Sequence, residues 1–377
     1  MSLRPRILLI GPLPRAGHAS GGTQVSFGEL VENFHASGRF EIELVDTTRE
    51  HVYEHSWRAK LSNLTAMLRV VREVMTRGRD CDLVFFNASA RGLLIGGPLV
   101  CTAARRMGKP VIVRAFGGGL DEALASAPFA VRRAVERTVL RADLLALQTN
   151  ALCSHFAGVP AAFHFPTTRR MERVQRARSQ TCRRFLFLSQ LRPEKGIREA
   201  LHAIELAPEG CTLSVHGPLM HGVSLSDFAG ASRSRYGGEL ERADVARVLA
   251  EHDALVFPSY WDGEGLPGVI VEALQSSLPV IAARWRSVPE LVESGVNGLL
   301  VEPRSAESLA QALRRVASDD ALFARLCAGA EASAREHSAE QWHAKLEARM
   351  VRVLSPQSAD DIAAPSPRRA VHRARRS

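Results

Sequence analysis

Ala254-Leu255-Val256-Phe257-Pro258-Ser259-Tyr260-Trp261-Asp262-Gly263-Glu264-Gly265-Leu266-Pro267-Gly268-Val269-Ile270-Val271-Glu272-Ala273 falls into three pieces. Four apolar residues read as a buried strand, the Gly/Pro-rich stretch as a turn, and the apolar residues from Gly268 as a helix. The first N–H groups of a helix have no partner inside it and point outward, so a strand, turn and helix in this order hold an anion, most simply a phosphate. If the helix starts near Gly268, Glu272 lies one turn inside it, roughly 6 Å along the axis, while Glu264 stays in the loop. Carboxylates repel a phosphate. Two that flank one are expected to accept hydrogen bonds from hydroxyls on either side of it, as the ribose and sugar of a nucleotide-sugar provide.

A second loop with matching chemistry lies upstream. Phe187-Leu188-Ser189-Gln190-Leu191-Arg192-Pro193-Glu194-Lys195-Gly196 reads as a strand, a loop and a helix starting at Ile197. An ammonium at Lys195 suits a diphosphate, and Arg192 offers a guanidinium beside it. Standing alone, the loop would pass for a solvated charged turn.

Apolar runs recur along the whole chain, at Ile7–Ile10, Ile42–Val45, Leu83–Phe86, Val111–Val113 and Leu144–Leu147, with amphipathic stretches between them at Thr23–Ala36, Trp57–Thr76, Leu93–Arg106 and Phe129–Leu140. Buried parallel strands with helical crossovers give this alternation. It restarts at Phe185–Leu188 and runs on through Thr212–Val215, Ala254–Phe257, Val280–Ile281 and Leu299–Val301. A chain of 377 residues also exceeds the range of one growing core. The expected division is therefore an N-terminal α/β domain over 1–167, an Arg-rich linker over 168–183, and a second α/β domain over 184–354 whose last helix packs back on the first. Residues 355–377, with three prolines and hardly any large apolar side chain, are expected to form a disordered basic tail. The ligand cleft is expected between the two domains.

The net charge of +9 would suit a nucleic acid, but it is unevenly placed: Phe165–Arg184 carries +6 and Leu354–Ser377 carries +3, leaving the rest neutral. No basic stripe with interleaved aromatics remains in the folded body, so nucleic acid is not an expected partner. Six scattered cysteines show no Cys-x-x-Cys spacing and read as reduced structural thiols. No metal site is expected. No run reaches the ~20 apolar residues of a membrane span, and Met1–Pro5 leads straight into a strand without a signal-peptide core. The expected location is cytoplasmic, or peripheral on the inner face of the membrane.

Pro193-Glu194-Lys195-Gly196, followed about seventy residues later by Glu264-Gly265-Leu266-Pro267 and Glu272-Ala273, resembles the retaining glycosyltransferases of family 4. Phe257-Pro258-Ser259, Leu278-Pro279-Val280-Ile281, Pro289-Glu290 and Gly295-Val296-Asn297-Gly298-Leu299 extend the likeness over the C-terminal half. The resemblance implies the GT-B architecture of two facing Rossmann-like domains, with no cofactor or metal. The donor, a nucleoside-diphosphate sugar, would lie mainly on the C-terminal domain, and the acceptor, a glycan or lipid-linked glycan, mainly on the N-terminal one. It gives Lys195 the donor diphosphate, Glu264 the transferred sugar, Glu272 the ribose hydroxyls, and the amides of Gly265, Leu266 and Gly268 the phosphate and sugar. Arg192 joins the donor set. Gly21-Gly22 resembles the family's glycine loop for acceptor or phosphate, although a plain strand-to-helix turn would look the same.

Three positions depart from that pattern. Gln190 stands where the family has an arginine, Pro267 lacks an N–H, and Phe116-Gly117-Gly118-Gly119 replaces a histidine facing the reaction centre. Asp121 after that turn reads as the N-cap of the next helix. His216 and Tyr260-Trp261 lie at strand ends and read as packing residues or as contacts to base or acceptor. Arg132, Arg133, Arg137 and Arg141 interleave with Val131, Val135, Val139 and Leu140, which suits either a solvated face or an anionic membrane surface. The expected activity is hexosyl transfer in cell-surface polysaccharide synthesis; the alternative is a non-catalytic nucleotide-sugar or partner-binding protein on the same fold.

Overall fold

The structure is a computed structural model that describes residues 4–14, 21–48, 57–170 and 179–355, side chains 57–64 excepted. Residues 171–178 of the expected linker and 356–377 of the expected tail lie outside the described residues.

The first half forms β1 (Arg6–Gly11), α1 (Gly22–Ser37), β2 (Glu41–Asp46), α2 (Trp57–Arg77), β3 (Leu83–Ser89), α3 (Ala90–Arg106), β4 (Val111–Phe116), α4 (Leu120–Ala125), α5 (Phe129–Arg137), β5 (Leu144–Leu147), α6 (Asn150–His155) and β6 (Ala162–His164). Its six strands are all parallel, in the order β2-β1-β3-β4-β5-β6. Both faces of the sheet are covered: Leu8 and Ile10 enter one apolar cluster with α2 and α3, while Ile7 and Leu9 enter another with α1. That two-sided burial is why the strands read as continuous apolar runs rather than alternating ones.

The second half forms β7 (Arg184–Leu188), α7 (Ile197–Glu205), β8 (Thr212–His216), β9 (Ser234–Tyr236), α8 (Arg242–Ala250), β10 (Ala254–Phe257), α9 (Gly268–Gln275), β11 (Val280–Ala283), β12 (Gly298–Val301), α10 (Ala306–Ser318) and α11 (Asp320–Ala334). Its sheet, also parallel, runs β9-β8-β7-β10-β11-β12. The chain therefore builds outward from β7 on one side, then crosses to β10 on the other. Adjacent loops leaving β7 and β10 part at this reversal, the place where open α/β sheets bind ligands.

The last helix, α12 (Ala339–Leu354), crosses back. Its Leu346 and Met350 are fully buried in the cluster that holds Ile7, Phe27 and Phe165 of the first domain. His343 on the same face meets the edge of Phe165 and lies 3.4 Å from the Thr168 hydroxyl. Burial, with Arg114 and Arg170 nearby, pushes its imidazole down to about 3, so it packs as a neutral ring.

All six cysteines are free. Burial lifts Cys81 to about 11 and Cys101 to about 12, which suits thiols that only fill space. No helix among the described residues is long and apolar enough to cross a membrane.

Candidate functional site

The loop leaving β7 folds into a single 3₁₀ turn, Pro193–Lys195, closed by Gly196 in the left-handed region at φ 75°. A side chain there would strike the carbonyl of Pro258, so glycine is what lets the β7 and β10 loops touch. The Tyr260 N–H then donates to the Glu194 carbonyl at 2.8 Å and locks the two loops together.

This contact brings Lys195 and Glu264 face to face. The Lys195 ammonium pairs with Glu264 Oε1, which also accepts from the Ser259 hydroxyl at 2.8 Å. Both side chains are largely buried, at 10% and 6% exposed. The ammonium also stands 4.5 Å from the centre of the Trp261 ring. The indole of Trp285 donates to the Trp261 carbonyl at 3.0 Å and so holds that loop in place. Arg192 lies over Trp261 as well, its guanidinium carbon 5.8 Å from the ring centre.

Gly265 and Leu266 continue the loop to α9. Pro267 is the N-cap residue, with no side chain capping the helix and no acidic residue in its first turn. Unoccupied by capping acceptors, the first amides of α9 remain a place for an anion.

Facing this loop is the first domain. The Gly117-Gly118 turn, which stands where the resemblance calls for a histidine, packs directly on it: a Cβ on Gly118 would lie 3.0 Å from the Glu264 carbonyl and 3.4 Å from Gly265 Cα. The Gly117 N–H donates to Gln148 Oε1 at 2.6 Å. From Gln148 the contact passes to the Thr167 hydroxyl, which donates at 2.7 Å to the Leu266 carbonyl. Glu290 adds a second tie by accepting from the Asn150 and Ala151 N–H groups, 2.7 and 3.1 Å away, at the start of α6. Arg286 pairs with Glu122 in a third. These contacts all come from segments that follow β4, β5, β6, β10 and β11, so the carboxyl ends of the two sheets face each other.

Glu272 does not join Lys195 and Glu264. Its Oε1 accepts from Arg169 Nε at 3.0 Å and stands 3.9 Å from Arg242. Arg169 in turn reaches Glu29 on α1 at 3.1 Å, and Arg242 pairs with the same Glu29. Burial pushes the Glu272 carboxyl up, while Arg169 and Arg242 pull against that rise. The expected pair of acids is therefore divided: Glu264 belongs to the cationic turn after β7, and Glu272 to an arginine cluster at the domain boundary.

Gly22 opens α1, with Gly21 as its N-cap residue. Gln24 Oε1 accepts from the Gly21 N–H at 2.9 Å, and a Cβ on Gly22 would meet the Phe116 ring at 3.9 Å. Asp121 is not an N-cap; Gly119 holds that position and Asp121 lies in the first turn of α4, because the helix starts two residues earlier than expected, directly after the glycines. His216 is shut in by Gly237, whose Cβ would meet the imidazole, so it packs under the second sheet's edge. Among the described residues, no group of three or more His, Cys, Asp or Glu is placed to hold a metal.

Arg169, Glu29, Arg242, Gln148, Thr167 and Glu290 were not singled out from the sequence for these contacts. Only Glu290 carried a signal, as part of the Pro289-Glu290 motif.

Comparison with known proteins places this geometry. Residues 182–319 match the family model for glycosyl transferases group 1. Glycogen synthase of Mycobacterium tuberculosis is 30% identical over 147 residues, covering 37% of this chain and 35% of that protein. A D-inositol 3-phosphate glycosyltransferase of Nocardioides sp. is 37% identical over 111 residues, covering 28% of this chain and 24% of that protein. The chain thus spans about a third or less of the length of these curated relatives. Across nearly its whole length it is similar in structure to Anabaena HepE in complex with UDP and glucose, with a TM-score of 0.70, 17% identity, and coverage of 92% of this chain and 99% of that one. The fold is GT-B: two Rossmann-like domains whose parallel sheets face each other across a cleft.

Proposed function

We propose that the protein is a retaining glycosyltransferase that moves a hexose from a nucleoside-diphosphate sugar to a hydroxyl of a glycan or lipid-linked acceptor, in the synthesis of cell-surface polysaccharide. The observation that carries this reading is the buried Lys195–Glu264 pair at the strand-order reversal of the second sheet, beside the uncapped start of α9 and directly opposite the Gly117-Gly118 turn.

Catalysis on this arrangement is electrostatic. Lys195, with Arg192 beside it and the amides of Gly265, Leu266 and Gly268, stabilises the charge that develops on the departing diphosphate. These fixed donors supply the charge a divalent ion would otherwise bring, so the reading requires no metal. Glu264, anchored by Lys195 and Ser259, holds the transferred sugar by accepting from its hydroxyls. A phosphate oxygen of the leaving group takes the acceptor proton, which is why a glycine turn suffices where a histidine was expected. Glu272 holds the ribose, and the Gly21-Gly22 end of α1 lines the acceptor side. The HepE complex with UDP and glucose supports a nucleotide-sugar donor.

The purified protein is expected to release a nucleoside diphosphate from one member of a panel of UDP-, GDP- and ADP-hexoses, to do so in excess chelator, and to give a product with the donor's anomeric configuration by NMR. An inverted product would remove the retaining assignment, and loss of turnover on chelation would remove metal independence. Gln190, neutral where the resemblance has an arginine, favours a second reading as a non-catalytic binder. Calorimetric binding of a nucleotide-sugar with no turnover on any acceptor would select it.

A peripheral membrane position suits a lipid-linked acceptor. Phe129, Ile95 and Leu68 are exposed along α5, α3 and α2, beside a groove of about 500 Å³ whose lining includes Val71, Met75, Leu99, Arg106 and Arg137. Apolar side chains rimmed by arginines match an anionic bilayer, each basic group near the surface contributing about 1 kcal/mol at low salt. The protein is expected to sediment with vesicles rich in phosphatidylglycerol and not with pure phosphatidylcholine. An F129S/R133E/R137E variant that sediments as well as the wild type would reject this surface.

A further inference from the structure

Arg169 raises a question that the donor site alone does not answer. Its guanidinium lies against Gly268, so close that a Cβ there would overlap it. That is the start of α9, the positive end of the helix, where a cation is repelled unless acidic groups surround it. Two do: Glu272 on α9 of the second domain and Glu29 on α1 of the first, at 3.0 and 3.1 Å. Arg169 and Glu29 are buried, each 4% exposed, and Glu272 is 13% exposed. Its backbone is fixed as well, because Gln275 Nε2 donates to the Arg169 carbonyl at 2.8 Å and the Arg170 N–H donates to Glu29 at 3.3 Å. The contact to Glu272 uses only Oε1. Arg242 approaches the same Oε1 at 3.9 Å, so both arginine contacts fall on one carboxylate oxygen.

We propose that Arg169 is a positioning residue of the donor site: it fixes Glu272 in one orientation for the ribose hydroxyls and, through Glu29, makes that orientation depend on the first domain being docked as it is here. This inference rests on the donor reading above and extends it, since it assigns a site-forming role to a residue outside both donor loops.

The chemistry of the cluster supports the role. A carboxyl as buried as that of Glu272 resists ionisation, and Arg169 is the first of the groups that oppose this. The charged groups that face Glu272 are Arg169, Arg242 and, at longer range, Glu29, which favours the neutral form. Arg242, about half exposed and 3.9 Å away, is a weaker partner than Arg169. Arg114 lies behind the cluster, 2% exposed, bonded to the Ser26 hydroxyl at 3.0 Å and stacked on Phe165. Burial, then Arg169, pushes its guanidinium down to about 9. Three arginines against two glutamates leave the cluster net positive, in keeping with an anionic ligand next to it. Lysine at 169 would keep the charge but lose the fork that reaches Glu29 and Glu272 together.

The test is calorimetric binding of UDP, GDP and ADP to the full chain between pH 6 and 8.5, for wild type and the R169K, R169Q and E29Q variants. The wild type is expected to bind one of the three, with the pH dependence that the ligand's own terminal phosphate, titrating at about pH 6, imparts. Both R169K and R169Q are expected to bind it roughly tenfold to a hundredfold more weakly, the size of one lost charge-assisted hydrogen bond. In R169Q the affinity relative to the wild type should also improve as pH rises. Without Arg169 the Glu272 carboxyl is pushed further up by burial, so rising pH favours its ionised, accepting form. That pH dependence should vanish in the R169Q/E272Q double variant. E29Q should weaken binding less than R169K does. Wild-type affinity in R169K, or a weakened R169Q whose pH profile parallels that of the wild type, would overturn the role of Arg169 while leaving the donor site intact. Failure of the wild type to bind any of the three would remove the donor reading, and this inference with it. If R169Q does not fold, R169K decides the matter by its affinity alone.

Discussion

Lys195→Ala is expected to lower kcat/KM for donor turnover by about a hundredfold to a thousandfold, the usual cost of removing one fixed donor from a developing anion. The side chain is largely buried beside Trp261 and Glu264, so its charge acts at a fixed place. The same change has a structural cost. It leaves Glu264 buried beside the Ser259 hydroxyl without its cationic partner, and breaking one half of a buried pair costs about 3–5 kcal/mol. Loss of activity in the single variant would therefore be ambiguous. The K195M/E264Q pair resolves it, since removing both charges at similar volume is close to neutral for folding. That double variant is expected to melt within a few degrees of the wild type and still show no turnover. Wild-type turnover by K195M/E264Q would end the catalytic assignment of both residues.

Gly196→Ala is expected to be the most damaging single methyl group in the second domain's donor loops. The residue sits at φ 75°, where an L side chain costs about 1–2 kcal/mol, and its Cβ would also collide with the Pro258 carbonyl. Backbone has to move, which adds about 1–3 kcal/mol. Together the terms predict a fall in melting temperature of roughly 5–15 °C for a domain of this size. Lys195, the preceding residue, moves with the strained turn, so turnover should fall as well. Gly108→Ala is the control: its φ is 70°, but nothing lies within 4 Å of the added methyl, so only the conformational cost applies. Equal shifts in the two variants would show that the Pro258 contact carries no energy.

The fold was legible where burial is two-sided. Ile7–Ile10, Leu83–Phe86 and Ala254–Phe257 are apolar runs because both faces of each strand meet helices, and such runs need no tertiary information to be recognised. The strands that left no sequence signal are β6 and β9, of three residues each at the sheet edges, where Ala162–His164 and Ser234–Tyr236 show no run at all. In the site, Lys195 and Glu264 were legible from turn chemistry, since each lies in a short loop between a strand and a helix. Arg169, Glu29 and Arg242 were not. They come from a boundary segment and two helices, 140 residues apart between Glu29 and Arg169, and a buried cluster of this kind exists only once the domains meet. Arg169 was hidden further by its place in an arginine-rich run whose composition reads as solvated linker. The Gly117-Gly118 turn shows the opposite case: the sequence marked a missing histidine, and the structure shows that glycine is what the close approach to Gly265 demands.

The polypeptide passes between the two halves of the molecule twice, once after β6 and once before α12, and the two passages run side by side where Arg169 bridges Ser338. Two pins set close together behave like the spine of a book. Rotation about that line displaces the two passages less than sliding or twisting one half across the other, which would shift both at once. Arg169 sits on the spine itself, and Thr167, two residues before it, donates to the Leu266 carbonyl, so the loop that carries Glu264 is anchored beside the spine.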